Sequence, residues 1–356
     1  MRRSYYHCAA CGTGTVPWDE TLQLGPQHLT PGASEVVAIA GVQLSFAQAA
    51  EITLVKLCGL QLSESTVERT TESAGERLQS LLDERVKFGD DEVWDWERDA
   101  SGRTCAYVSL DATGIRQQAE NAGKTEGKMV YVGMIYNPRG AARTRERRKA
   151  STPHQVRYLA GLQELDEMGL QLRTQAGQVG WDEAEQQIAL SDGGAGLEEF
   201  FRKNFPRAEH ILDFWHAREH LVELGKALFG EASEEGSRWL EERSHQLKHA
   251  GGSAVLAELE LLDVGARSES VREAHRRETN YFRNHQHKMD YSRYVANGWQ
   301  IGSGPVESAC KTVINQRLCG SGMRWGVSGS DALCHLRALF LSQRSQWEAF
   351  WHEHPN

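Results

Sequence analysis

The chain has 356 residues, of which 40% are hydrophobic and 25% charged, which predicts two or three folded units with real cores. Its net charge of −9 excludes a protein coated in positive charge, although a DNA enzyme needs only local basic surface. The absence of any apolar run of bilayer length, and of an apolar N-terminal stretch, argues against a membrane span or signal peptide and predicts a soluble, intracellular protein.

Residues 1–30 carry His7-Cys8-Ala9-Ala10-Cys11-Gly12. A Cys-x-x-Cys pair is half of a structural zinc site, because Zn2+ takes four N or S ligands there. Cys8 and Cys11 are the candidate zinc ligands, and neither His7 nor His28 is singled out by spacing to complete the set. The other five cysteines sit among apolar or small residues and are expected to be reduced and packed.

Residues 31–95 read as two helices. The first covers 35–60, with Phe46, Ala50, Leu54 and Leu57 at helical spacing, and Gly59 ends it. Ser65 followed by Glu68 forms a capping box for the second. That helix is expected to bury Val67, Thr71, Ala74, Leu78 and Leu81, leaving Ser65, Thr66, Glu68 and Arg69 near its exposed start. The outline fits a DNA-binding helix-turn-helix, and equally a plain helical hairpin.

From residue 104 the pattern turns to strands. Cys105–Asp111 is a short β-rich run ending on a carboxylate, and Lys128–Tyr136 reads as a strand buried on both faces. Between Arg139 and Lys149 the chain concentrates Arg139, Arg143, Arg145, Arg147, Arg148 and Lys149, either a phosphate-contacting surface or a solvated loop. A helix is expected over 155–178. Ile188–Asp192 is a second strand ending on a carboxylate, followed by Gly193-Gly194 and a helix through Glu198–Lys203, and His210–Asp213 is a third strand. Residues 217–296 read as polar helices. The turn Gly302-Ser303-Gly304-Pro305 opens a helix from Val306 to about Leu318, and a last helix covers 331–351.

Asp111, Asp192 and Glu307, on rigid elements, supply the oxygen donors for two Mg2+ ions of the kind that clamp an in-line phosphoryl displacement. With 49 acidic residues in the chain, some Asp/Asp/Glu triple arises by chance, so spacing alone does not select this one. His216-Ala-Arg-Glu219-His220 matches instead the His-x-x-Glu-His pattern of zinc metalloproteases, with no third ligand evident.

Taken in order, these segments resemble the ISKra group of insertion-sequence transposases, in the DDE superfamily and akin to its Mutator-like branch. The similarity runs nearly end to end. It includes Tyr5-Tyr-His-Cys-x-x-Cys, Leu62-Ser-Glu-Ser-Thr-Val-Glu-Arg69, Leu110-Asp-Ala-Thr-Gly114 and Ser191-Asp-Gly-Gly194. It continues through Phe205-Pro-x-Ala-x-x-Ile-Leu-Asp-x-x-His216 to Gly302-Ser-Gly-x-Val-Glu-Ser-Ala-Cys-Lys311 and Gly320-Ser-Gly-Met-x-Trp325. The resemblance implies an α/β, RNase H-like catalytic domain from 96–216 and 297–345, with 217–296 as a helical insertion. It implies Asp111, Asp192 and Glu307 as the metal-binding triad for Mg2+ or Mn2+. Asp213 and His216 become the Asp-x-x-His pair, which draws His216 away from a protease site. Lys311, Arg317 and Arg324 join the basic segment as expected phosphate contacts. The implied activity is cutting the ends of a bacterial insertion sequence and joining the 3′-hydroxyl to target DNA, near the nucleoid and in a DNA-bound homodimer. A catalytically inactive, transposase-derived DNA-binding protein is the non-enzymatic alternative. Members of the group carry further sequence ahead of the Tyr5 segment, including a second Cys pair, so the chain is expected to begin inside that region.

Overall fold

The computed structural model describes residues 3–118, 127–138 and 155–354. Two short strands, β1 (Tyr6–His7) and β2 (Gly14–Thr15), pair antiparallel, and α1 (Pro17–Thr21) follows. The helix expected over 35–60 is two elements. The first, α2 (Pro31–Gln43), stops where Leu44 turns extended, and Ser45 caps α3 (Phe46–Gln48) by accepting the Gln48 N–H. That local hydroxyl cap offers the amides a new start, which an apolar periodicity does not reveal. Beyond α3 the helix widens into π-type turns over Ala49–Cys58 and ends, as expected, at Gly59 with φ +67°.

The next helix, α4 (Glu64–Asp83), is capped by Ser63 rather than Ser65: the Ser63 hydroxyl accepts the Thr66 N–H at 3.2 Å. It buries Val67, Thr71, Ala74 and Leu78 as expected, with Leu82 in place of Leu81.

The main sheet holds five strands in the order β5-β4-β3-β6-β7. They are β3 (Cys105–Arg116), β4 (Gly127–Tyr136), β5 (Val156–Gly161), β6 (Gln186–Ser191) and β7 (Glu209–Leu212). Neighbours β3, β4 and β5 run antiparallel, whereas β6 and β7 run parallel to β3. Two expectations change here. Asp111 does not end its strand, because β4 keeps pairing with β3 out to Arg116, well beyond the last β6 pair at Ser109. The stretch 155–178 is a strand before it is a helix: β5 precedes α5 (Leu165–Gln178).

One face of the sheet carries α5, since Gly133 of β4 lies against Met168 and Leu172. After β6 comes α6 (Leu197–Asn204). A helical block follows β7, with α7 (Phe214–Phe229), α8 (Glu234–Leu261, kinked at Gly251), α9 (Glu269–His285) and α10 (Tyr291–Ala296). It contains no strand among the described residues. The block is fastened back to the sheet side by the Tyr291 hydroxyl on the Leu212 carbonyl, Lys288 on Glu198 and Arg293 on Glu209.

The chain then forms α11 (Gly304–Ala309), π-type turns over Cys310–Asn315, and α12 (Gln316–Leu318). The last helix expected over 331–351 is broken at Ser342 into α13 (Val327–Leu341) and α14 (Arg344–Glu353). Nearly every central residue of α13 is buried, between β5 and α4. At the α4 crossing, Gly75 meets the Ala332 backbone so closely that a Cβ would collide with its carbonyl. The 31–95 helices therefore share one core with the sheet.

No helix among the described residues is long and apolar enough to cross a membrane. Cys105, Cys310 and Cys334 are buried as expected, but Cys58 and Cys319 are exposed.

Candidate active site

Strand alternation decides which residues of β3 can act together. Leu110 pairs with Gly133, so even-numbered side chains face α5. The odd-numbered ones face the other way: the Tyr107 hydroxyl accepts from Gln300 N, and Thr113 reaches Asn315. Asp111 is on this second face, where Cys310 Sγ lies 3.6 Å from its Oδ2. In the parallel pairing Ser109 stands opposite Leu190. That is the last pair of the ladder, two residues before Asp111 on β3 and two before Asp192, the first residue past β6. A residue just past one strand and a residue in the middle of its neighbour are thus near enough at this edge for the Asp192 charge to act on Asp111.

Glu307 comes to this edge in the first turn of α11. The Ser303 hydroxyl donates to its Oε1 at 2.9 Å. Burial, together with the negative charges of Asp192 and Glu307, holds the Asp111 carboxyl above its ordinary range, although the Ala112 N–H donates to it at 2.7 Å. Desolvation and those carboxylates likewise push the Cys310 thiol up, so it stays protonated and donates. Asp192 Oδ1 accepts the Gly194 N–H at 2.9 Å. Three carboxylates are hard oxygen donors suited to Mg2+ or Mn2+. The repulsion felt by Asp111 is the charge imbalance that a divalent ion would relieve. No three His, Cys, Asp or Glu side chains stand at ligation distance of one another among the described residues. Glu307 is exposed, with its Oε1 held by the Ser303 hydroxyl.

Asp213, 1% exposed, ties this edge together. Its Oδ1 accepts the His216 backbone N–H at 2.7 Å, capping α7, and its Oδ2 accepts the Ser303 N–H. The neighbouring Phe214 N–H donates to the Ile301 carbonyl at 2.8 Å. The two residues of the expected Asp-x-x-His pair therefore meet through the His216 backbone N–H, the only hydrogen bond the Asp213 carboxylate makes to His216. Asp213 holds the turn from which Glu307 projects.

The two histidines of the protease-like pattern have different surroundings. The half-exposed His216 ring has Nδ1 3.5 Å from Glu219. His220 stacks on Tyr281 with ring centroids 3.4 Å apart, and its Nδ1 lies 2.6 Å from Glu278 Oε2. Burial would raise the Glu278 carboxyl, but hydrogen bonds from His220 and Arg277 hold it below its ordinary range. His220 is thus committed to a buried carboxylate instead of a ligand set.

The expected DNA contacts divide. Ser65 and Arg69 are exposed and Thr66 half-buried on the first turns of α4, and Lys311 and Arg324 are exposed. Arg317 is a correction: it is 3% exposed, donates to the Gly41 carbonyl at 3.0 Å, and lies over the Phe46 and Trp325 rings. Beside it the buried Arg337 donates to the carbonyls of Val42, Thr312 and Val313. The pair clamps the end of α2 to the π-type turns. Burial pushes both guanidiniums down to about 10, and for Arg317 the charge of Arg337 adds to it. Arg139, Arg143, Arg145, Arg147, Arg148 and Lys149 lie outside the described residues.

Cys8 and Cys11 flank an exposed turn in which Cys8 N–H donates to Thr13 O and Gly12 N–H to Cys8 O. Hydrogen bonds from Thr13 and Cys8 lower the Cys11 thiol to about 7. That makes thiolate, the ligating form, accessible, but the turn supplies two of the four ligands a structural zinc requires.

Sequence reasoning missed Ser303, Trp215 and Tyr281. Ser303 was visible only as part of the Gly302–Pro305 turn. Trp215 sits inside the Asp213–His216 segment and is 61% exposed. Tyr281 comes from α9, and a Cβ on Gly193 would lie 3.6 Å from its hydroxyl, a meeting across the fold that no local pattern announces. No family model matches the chain, and no curated protein matches it.

Proposed function

We propose that this chain is a DDE-type DNA transposase, a metal-dependent nuclease and strand transferase whose carboxylates are Asp111, Asp192 and Glu307. The observation that supports the reading is that Asp111, on β3 next to the parallel strand β6 whose end is followed by Asp192, is close enough to Asp192 and Glu307 for their charges to raise its carboxyl, with α11 packed against β3. The sheet supports it as well: three antiparallel strands followed by two parallel ones, in the order β5-β4-β3-β6-β7, is the arrangement expected of an RNase H-like domain.

Divalent ions held by the three carboxylates would supply the charge for an in-line attack on a phosphodiester and for the departure of its leaving oxygen. The chain's own residues prepare that geometry. Asp213 fixes the turn before Glu307, Ser303 orients the Glu307 carboxylate, and Cys310 donates to Asp111. The helix pair joined at Gly59 supports a helix-turn-helix reading of 31–95, with Ser65 and Arg69 outward for DNA. DNA, as terminal repeat and as target, is the proposed partner.

The test is incubation with Mg2+ and DNA carrying the ends of the element that flanks the coding sequence. End-specific nicks with free 3′-hydroxyls are expected, and joining of those ends to a target plasmid should follow. Intact DNA in both Mg2+ and Mn2+ would remove the enzymatic reading.

A further inference from the structure

Two pairs of histidines in the chain stand four residues apart, His216 with His220 and His245 with His249. On an α-helix that spacing puts two imidazoles one turn apart on the same face, where both can hold one metal ion. The first pair is already committed: the His220 ring stacks on Tyr281, and its Nδ1 lies 2.6 Å from the buried Glu278. The second pair is not. His245 and His249 lie on α8, both exposed, with ring centroids 4.4 Å apart and planes inclined by 39°. Neither imidazole makes a hydrogen bond or an ion pair among the described residues.

The surroundings of this pair favour a cation. Gly251, at φ +84° and ψ 176°, breaks the helix, so His245 and His249 occupy the last turns of a helical segment. There the negative end of the backbone dipole attracts positive charge. Glu241, one turn back on the same face, is exposed, and with Arg238, Glu242 and His245 it lines an open groove. Both rings hang from one regular stretch of helix, so the backbone sets their separation before any ion arrives. Imidazole nitrogen is a good ligand for Zn2+, Cu2+ and Ni2+, whereas Mg2+ takes oxygen donors.

We propose that His245 and His249 chelate a divalent transition-metal ion of the Zn2+ class on the exposed face of α8. The site uses nitrogen donors in the helical block, not the carboxylates of the Asp111 edge, and it does not depend on the transposase reading. No third His, Cys, Asp or Glu completes a ligand set among the described residues. Water therefore fills the remaining positions, and the ion exchanges instead of being locked in as a structural zinc is. An ion held there ties together the last turns before the Gly251 break, so it stabilises the folded block in proportion to its occupancy.

The probe is Ni2+, which shares the preference for imidazole and is less drawn than Zn2+ to thiolates such as those of Cys8 and Cys11. Full-length wild type, His245→Ala and His249→Ala are each titrated with NiCl2 by calorimetry without Mg2+, and their melting temperatures are recorded with and without Ni2+. Each variant should bind one Ni2+ fewer per chain than the wild type and show a smaller Ni2+-induced rise in melting temperature. Without metal all three should melt alike, because both side chains are exposed. Wild-type stoichiometry and affinity in either variant would overturn the proposal, since a chelate needs both rings. A wild type that takes up no Ni2+ would overturn it as well.

Discussion

Asp213→Ala removes two hydrogen bonds that serve different ends of the site. The cap on the His216 N–H at 2.7 Å is of the type whose loss costs about 0.5–2 kcal/mol. The bond from Ser303 N is buried, and an amide left without a partner there costs about 1–3 kcal/mol. The sum is about 1.5–5 kcal/mol, large beside a typical total stability of about 5–15 kcal/mol. The same substitution frees the turn that carries Glu307, so nicking should fall by at least about tenfold, as when a metal ligand loses its supporting partner. Asp213→Asn sharpens the argument, because its single carbonyl oxygen can serve only one of the two amides. It should keep roughly half of the stability loss and most of the activity loss. Urea denaturation of each variant gives the stability, and nicking at saturating DNA and Mg2+ gives the activity. Either variant unfolding at the wild-type midpoint with wild-type nicking would refute the role assigned to Asp213.

Arg317→Ala should destabilise the fold by about 2–4 kcal/mol, since it strands a buried carbonyl and empties the space over Phe46 and Trp325, while the salt dependence of DNA binding stays unchanged. A reduced salt slope would make Arg317 a phosphate contact after all. Replacing Arg143, Arg145, Arg147 and Arg148 with alanine should weaken all DNA sequences alike and lower the slope by about 0.9 for each phosphate no longer neutralised; an unchanged slope would leave the segment as solvated surface. Asp111 predicts a pH dependence of the metal-free protein. Its carboxyl is raised above the unfolded value of about 4, so its charged form penalises the fold fully above the raised value, and the penalty disappears as pH falls below the unfolded one. Asp111→Asn should therefore raise the melting temperature at pH 7 and lose that gain near pH 4. An Asn variant no more stable than wild type at pH 7 would contradict the cost assigned to burying the charged Asp111 carboxyl near Asp192 and Glu307.

What could be read in the sequence was local. The apolar run Lys128–Tyr136, the strand before Asp192, and the glycine ending the helix at 59 all express neighbouring residues alone. The boundaries that failed were set by competition or by distance. Ser63 captured the α4 start because its hydroxyl reached the Thr66 amide first, and Ser45 divided a helix whose apolar spacing continued across it. The strand through Asp111 ran on because β4, a segment downstream, kept supplying pairs. Arg317 looks in sequence like any basic residue after a motif, and only packing against α2 shows it to be a clamp. In the same way the Asp213 carboxylate belongs to backbone amides of two segments 90 residues apart in sequence, which no pattern of residue types can express.

The central claim is that Asp111, Asp192 and Glu307 form one metal-dependent cleavage site. The most direct measurement is Mg2+-dependent nicking of labelled element-end DNA by wild type, Asp111→Ala, Asp192→Ala and Glu307→Gln, with folding checked by circular dichroism and DNA affinity by anisotropy. The account predicts nicking by the wild type alone, with all four proteins folded and binding DNA at similar affinity. Wild-type cleavage by any one of the three folded variants would contradict it.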